Sequence, residues 1–104
     1  MNEKTISDNH RYTITSDGKV MNKKRGTYLK QQLNSKGYAR VFLWYGDRDR
    51  PIAVHRLVAT HFLRKRKGLT EVNHIDGNKL NNDVSNLEWC TRLQNVQHFH
   101  RHLR

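Results

Sequence analysis

Residues 72–98, VNHIDGNKLNNDVSNLEWCTRLQNVQH, hold the side chains of this chain that are best suited to chemistry. His74 falls in a short extended run, Val72-Asn73-His74-Ile75, and an imidazole with a pKa of about 6.5 can take a proton from water at neutral pH. Asp76-Gly77 then turns the chain, because Gly takes positive φ freely and Asp tolerates such turns. A polar loop with Asn78, Asn81, Asn82 and Asn86 leads to a second apolar run, Leu87-Glu88-Trp89-Cys90. Thr91 and Gln94 match the S/T-x-x-E/Q capping box, which predicts a helix from residue 92. On a wheel of about 3.6 residues per turn, Leu93, Val96 and Leu103 share a packing face, while Asn95, His98 and His102 share another. That second face looks back at the loop carrying His74. A general base on one element, facing oxygen and nitrogen ligands on a helix, is what metal-assisted hydrolysis requires.

The same residues carry a resemblance. NHIDGN, then NN, SNLEWCT, and QN followed by a His resemble the ββα-metal motif of HNH (His-Asn-His) endonucleases, above all the group found in phages and mobile introns. The upstream VHRLVATHF is similar to that group's lead-in, and the resemblance spans residues 10–100. It implies that His74 is the general base and that Asn73 and Asn95 stand at two metal positions. It also implies that Asn86 is the middle Asn, tying down the loop and helping to orient the base. Position 73 is Asp or His in many relatives. Asn offers an oxygen but no charge, so metal affinity before DNA arrives is expected to be weak. His98 is the expected additional ligand by helical spacing, and Asp76 the turn residue. The implied cofactor is one divalent metal ion, Mg²⁺ first, with Mn²⁺ or Zn²⁺ as alternatives. The implied products are a 5′ phosphate and a 3′ hydroxyl.

The elements that position these residues occupy a chain of 104 residues, enough for one modest core. Its 20 Lys and Arg against nine Asp and Glu give a net charge of +11, which favours a polyanionic partner through counterion release. A single cysteine, Cys90, excludes an internal disulfide and a zinc site of four cysteines or of paired cysteines and histidines. No apolar segment resembles a secretory signal or a membrane span, so a cytoplasmic protein is expected, in the host cell if phage-encoded.

Residues 1–9 lack apolar periodicity and are expected to fray. Tyr12–Thr15 and Lys19–Met21 flank Ser16-Asp17-Gly18 and predict a hairpin. Extended stretches are expected at 28–33, 38–45 and 51–54, giving an N-terminal antiparallel sheet of three to five strands. Its turns are rich in cations. Val54, Leu57, Val58, His61 and Phe62 have helical spacing, and His55 and His61 are read as packing or hydrogen-bonding residues. Arg64-Lys65-Arg66-Lys67-Gly68 ends that helix.

The resulting expectation is an α+β fold, a small N-terminal antiparallel β-sheet followed by a helix and a ββα-metal motif. It forms a single domain over 1–104, divided into a basic sheet region (10–54), a helix and basic turn (55–67) and the catalytic motif (70–104). DNA contact is expected from Lys23, Lys24, Arg25, Arg40, Arg48, Arg50, Arg64, Lys65, Arg66 and Lys67. The expected activity is phosphodiester hydrolysis in DNA, as a nickase if the chain acts as a monomer with one site. A monomer or weak homodimer is expected, with no membrane and no small-molecule cofactor. The alternatives are a DNA-binding module that has lost its metal, and a low-specificity nuclease that also acts on RNA.

Overall fold

The computed structural model describes residues 2–96; the expectations for His98, His100, His102 and Leu103 fall outside them. Strands β1 (Glu3–Thr5), β2 (Tyr12–Thr15), β3 (Val20–Asn22) and β4 (Thr27–Tyr28) form an antiparallel sheet in that order. Strands β5 (Gln32–Leu33), β6 (Ala39–Trp44) and β7 (Asp49–Ala53) form a second one. Helix α1 (Val54–Phe62) follows directly, then β8 (Glu71–His74), a 3₁₀ turn (Val84–Asn86) and β9 (Leu87–Cys90), which pairs antiparallel with β8. Residues 92–96 are helical and are called α2. The α+β class expected from the sequence is the one observed.

Side-chain alternation explains how these pieces share a core. Ala39, Val41 and Leu43 of β6 are buried while Phe42 and Trp44 point outward, the period of two of a strand with one covered face. On α1, Val54, Leu57 and Val58 are buried at i, i+3 and i+4. They meet Ile14 and Val20 from the first sheet, Val41 and Leu43 from the second, and Val72 and Leu87 from the β8–β9 hairpin in one cluster. The hairpin that carries His74 is therefore anchored on the same helix as both sheets.

Four expectations are corrected. The N-terminal region forms two sheets with seven strands, and the stretch 28–33 is divided between them. The break falls where the Leu29 N–H bonds to the Val20 carbonyl and Gln31 Nε2 donates to the Gly18 carbonyl (2.7 Å). Residues 2–9 do not simply fray. β1 pairs with β2, Ile6 is fully buried, and the Ser7 N–H donates to His61 Nε2 (3.0 Å) while His61 Nδ1 lies 2.8 Å from the Leu57 carbonyl. An edge strand exposed along its whole length has no periodicity to detect, because backbone pairing and one adjacent apolar residue hold it.

Helix α1 stops at Phe62, with Leu63 already extended, so Arg64–Lys67 follow the helix and His61 is the basic residue of its last turn. Finally, Leu93 and Val96 are 67% and 44% exposed. Helical spacing sets which residues share a face, not what that face meets. The α2 cap itself is as read: the Gln94 N–H donates to Thr91 Oγ1 (3.1 Å) and the Thr91 N–H to Gln94 Oε1 (3.0 Å).

Candidate active site

His74 closes β8 opposite Leu87, and only 5% of it is exposed. Its Nε2 lies 2.7 Å from Asn82 Oδ1. A carbonyl oxygen accepts, so Nε2 carries the proton and Nδ1 keeps its lone pair, the form a general base needs. Burial pushes the His74 pKa below its ordinary value; the Asn82 bond and Asp76 oppose this, and Lys79 adds to it. The ring packs in a cluster with Tyr38 (5.9 Å between centroids) and His55 (5.1 Å), and Tyr38 in turn stacks on His55 at 4.9 Å.

His55 is itself buried, with Nδ1 unpartnered. Burial, and secondarily the positive charge of His74 and Arg56, lower its pKa to about 4. It is a neutral ring that walls one side of His74.

The loop after β8 is held by asparagines in distinct ways. Asn86 accepts from the Asp76 N–H (3.0 Å) and donates to Asp76 Oδ1 and the Asn81 carbonyl (both 2.9 Å). Hydrogen bonds from Asn81, the Asn78 backbone and Asn86 hold the Asp76 carboxyl below the usual carboxylate range. Asn86 thus ties the loop down, whereas the amide in contact with His74 belongs to Asn82. From sequence alone Asn82 reads as one more loop residue; the neighbouring Asn81 and Asn82 look alike there, and only the fold turns one inward.

Asn73 is 5% exposed and donates from Nδ2 to Glu88 Oε1 (2.9 Å), its direct partner across the hairpin. Asn95 lines a recess of about 330 Å³ with Tyr38, His55, Glu71 and Arg92, and Asn73 lies outside that lining. One expected metal position thus lies in β8 and the other in α2, and they do not share this recess. Among the described residues no group of three or more His, Cys, Asp or Glu is placed to hold a metal ion. Hard divalent cations favour oxygen donors. Asn73 supplies one amide oxygen and Asn95 another, so the donor chemistry fits such an ion, weakly.

The chain is similar to known proteins over most of its length. The HNH endonuclease family matches residues 53–97. Over those residues the chain carries an HNH endonuclease domain. The NUMOD4 motif matches residues 4–44, ahead of the HNH domain. An uncharacterised HNH endonuclease of Acanthamoeba polyphaga mimivirus is 41% identical over 93 residues, 89% of this chain and 28% of the relative. The DNA endonuclease I-HmuI of Bacillus phage SP01 is 41% identical over 86 residues, 83% of this chain and 49% of the relative. A solved structure described as DNA binding and cleavage by the HNH homing endonuclease I-HmuI superimposes with a TM-score of 0.87 at 38% identity, covering 98% of this chain and 59% of that one. The chain spans about half or less of the length of these curated relatives.

The cations expected to meet DNA fall at three places around the HNH domain and its sheets. Lys23, Lys24 and Arg25 are exposed in the β3–β4 turn. In the β6–β7 hairpin Arg48 is exposed, Arg40 lies 5.2 Å over the Phe42 ring, and Arg50 lies 5.1 Å over Tyr45 and 3.7 Å from Asp47. Arg64, Lys65, Arg66 and Lys67 are exposed beyond α1, with Lys65 Nζ 5.3 Å over the Trp89 ring.

Proposed function

We propose that this chain hydrolyses phosphodiester bonds in DNA, with His74 as the general base and a single divalent cation, Mg²⁺ by its oxygen-donor preference. The observation that carries the reading is the His74–Asn82 bond. It commits Nε2 and leaves Nδ1 able to take the proton of an attacking water. The His55 and Tyr38 rings hold the imidazole in place, and Asn86 with Asp76 fixes the loop that presents Asn82. Asn73 and Asn95 would hold the cation through their amide oxygens, with His98 as an added ligand. When bound, the cation would supply stabilisation of the charge that develops on the phosphate and on the leaving 3′ oxygen. The similarity to I-HmuI, described as binding and cleaving DNA, supports the substrate class. The net charge of +11 supports it independently.

One base and one cation make the chain a nickase when it acts as a monomer, and we place its action in the cytoplasm of its host. Conversion of supercoiled plasmid to open circle in Mg²⁺, abolished by EDTA, tests the reading. Tight duplex binding with no cleavage in Mg²⁺, Mn²⁺ or Zn²⁺ would favour a second one, a DNA-binding module without metal. The uncharged amide at position 73 is what speaks for that second reading.

A further inference from the structure

A carboxylate only accepts hydrogen bonds, so Glu88 settles which end of the Asn73 amide faces it: Nδ2 donates, and Oδ1 is turned elsewhere. Among the described residues Oδ1 accepts no hydrogen bond, in a residue that is 5% exposed, which leaves the oxygen free to take a ligand. Glu88 stands in register with it on the same face of the hairpin, where Glu71 pairs with Cys90. Glu71 is neutralised by Arg56 at 3.7 Å. Glu88 has no such partner among the described residues, although the chain carries 20 Lys and Arg and Arg64 and Arg66 line a recess with it. The field of this face is felt locally: burial, then Glu88 and Glu71, push the Cys90 thiol up.

We infer that Glu88 supplies the anionic charge of the cation site that Asn73 leaves neutral. The charge stands directly across the strand pair from where an acid at position 73 would carry it. The inference rests on the metal-dependent reading above and names the residue that makes a neutral position 73 workable. Ligand charge sets the affinity of an oxygen site for a divalent cation, and two amides alone compete poorly with water.

The test is Mn²⁺ binding to the intact chain, read from loss of the free-ion electron paramagnetic resonance signal, with circular dichroism as a check on folding. Glu88→Gln should weaken binding about 10–100-fold. Moving the charge, with Asn73→Asp added to Glu88→Gln, should restore most of it. Asn73→Asp alone, with Glu88 intact, should bind more tightly than wild type, and this arm keeps the test decisive if Glu88→Gln folds poorly. Unchanged affinity in a folded Glu88→Gln, failure of Asn73→Asp to tighten binding, or no binding by wild type at millimolar Mn²⁺ would overturn the inference. Plasmid nicking run in parallel separates the two claims. Wild type that nicks DNA while a folded Glu88→Gln binds Mn²⁺ equally well would overturn only the role of Glu88. Wild type that binds Mn²⁺ through Glu88 without nicking would overturn the nuclease reading and leave Glu88 standing.

Discussion

Gly18 in the β2–β3 turn sits so close to Asn82 that an added Cβ would lie 2.9 Å from the Asn82 Cβ and 3.2 Å from its carbonyl oxygen. Asn82 is the residue bonded to His74, and the Val84 N–H donates to the Ser16 carbonyl two residues away from Gly18 (2.8 Å). The first sheet therefore buttresses the loop that holds His74. At Gly18 φ is +91°, a conformation that side-chain-bearing residues rarely adopt. Gly18→Ala should destabilise the fold by about 1–3 kcal/mol and lower cleavage beyond that loss. Urea unfolding and plasmid nicking on the same samples would show it, and wild-type stability would contradict the close approach.

Asn82 and Asn86 should separate in their effects. Asn82→Ala frees Nε2 of His74 and should reduce the cleavage rate about tenfold or more, with DNA affinity unchanged. Asn86→Ala leaves the Asp76 N–H and the Asn81 carbonyl without their partner and should cost about 1–3 kcal/mol of stability. Single-turnover rates beside urea midpoints would distinguish the two. Equal loss of rate and stability in both variants would mean that Asn82 is only another loop residue.

Stability should fall in mild acid. His55 titrates at about 4 in the folded chain, against about 6.5 when unfolded. Between those values the unfolded chain binds more protons, so stability is complete above the upper one and is lost as pH falls through the lower. His74 shifts in the same direction. The His55 share amounts to at most about 3 kcal/mol. Urea midpoints at about pH 8 and about pH 5 should differ in wild type and differ less in His55→Phe, which keeps a ring in the stack. An equal pH dependence in both would contradict a neutral, buried His55.

If the loop cations beyond α1 grip phosphates, replacing Arg64 and Arg66 with Gln should weaken binding similarly for unrelated duplexes. It should also flatten the slope of log affinity against log salt by about one for each phosphate no longer neutralised. The same change at Lys23 and Lys24 tests the β3–β4 turn. A slope unaffected by either pair would remove those residues from the DNA surface.

The parts of the fold written in local rules were legible in the sequence. The Thr91–Gln94 cap, the Leu87–Cys90 strand, the turn at Gly18 and the α1 spacing each depend on a few neighbouring residues, and the resemblance added the order of the motif. Relationships between distant segments were not legible. The approach of Gly18 to Asn82, the stacking of Tyr38 on His55 and the pairing of β1 with β2 are products of chain folding, with no local pattern to announce them. Glu88 was hidden for a related reason. It occupies an exposed strand position where an acid needs no explanation, and its meaning comes from the residue across the ladder. Asn73 stands out in the sequence as an uncharged residue where the resemblance implies a metal ligand, but its partner lies 15 residues away along the chain.

If His74 takes the proton of the attacking water, its removal should separate cleavage from binding. Wild type and His74→Ala would be assayed in Mg²⁺ for single-turnover nicking of plasmid and for duplex affinity under the same salt. The rate should be lower by about 100–10,000-fold in the variant, with duplex affinity essentially unchanged. A variant that still nicks at the wild-type rate, or that loses binding and cleavage in equal measure, would contradict it.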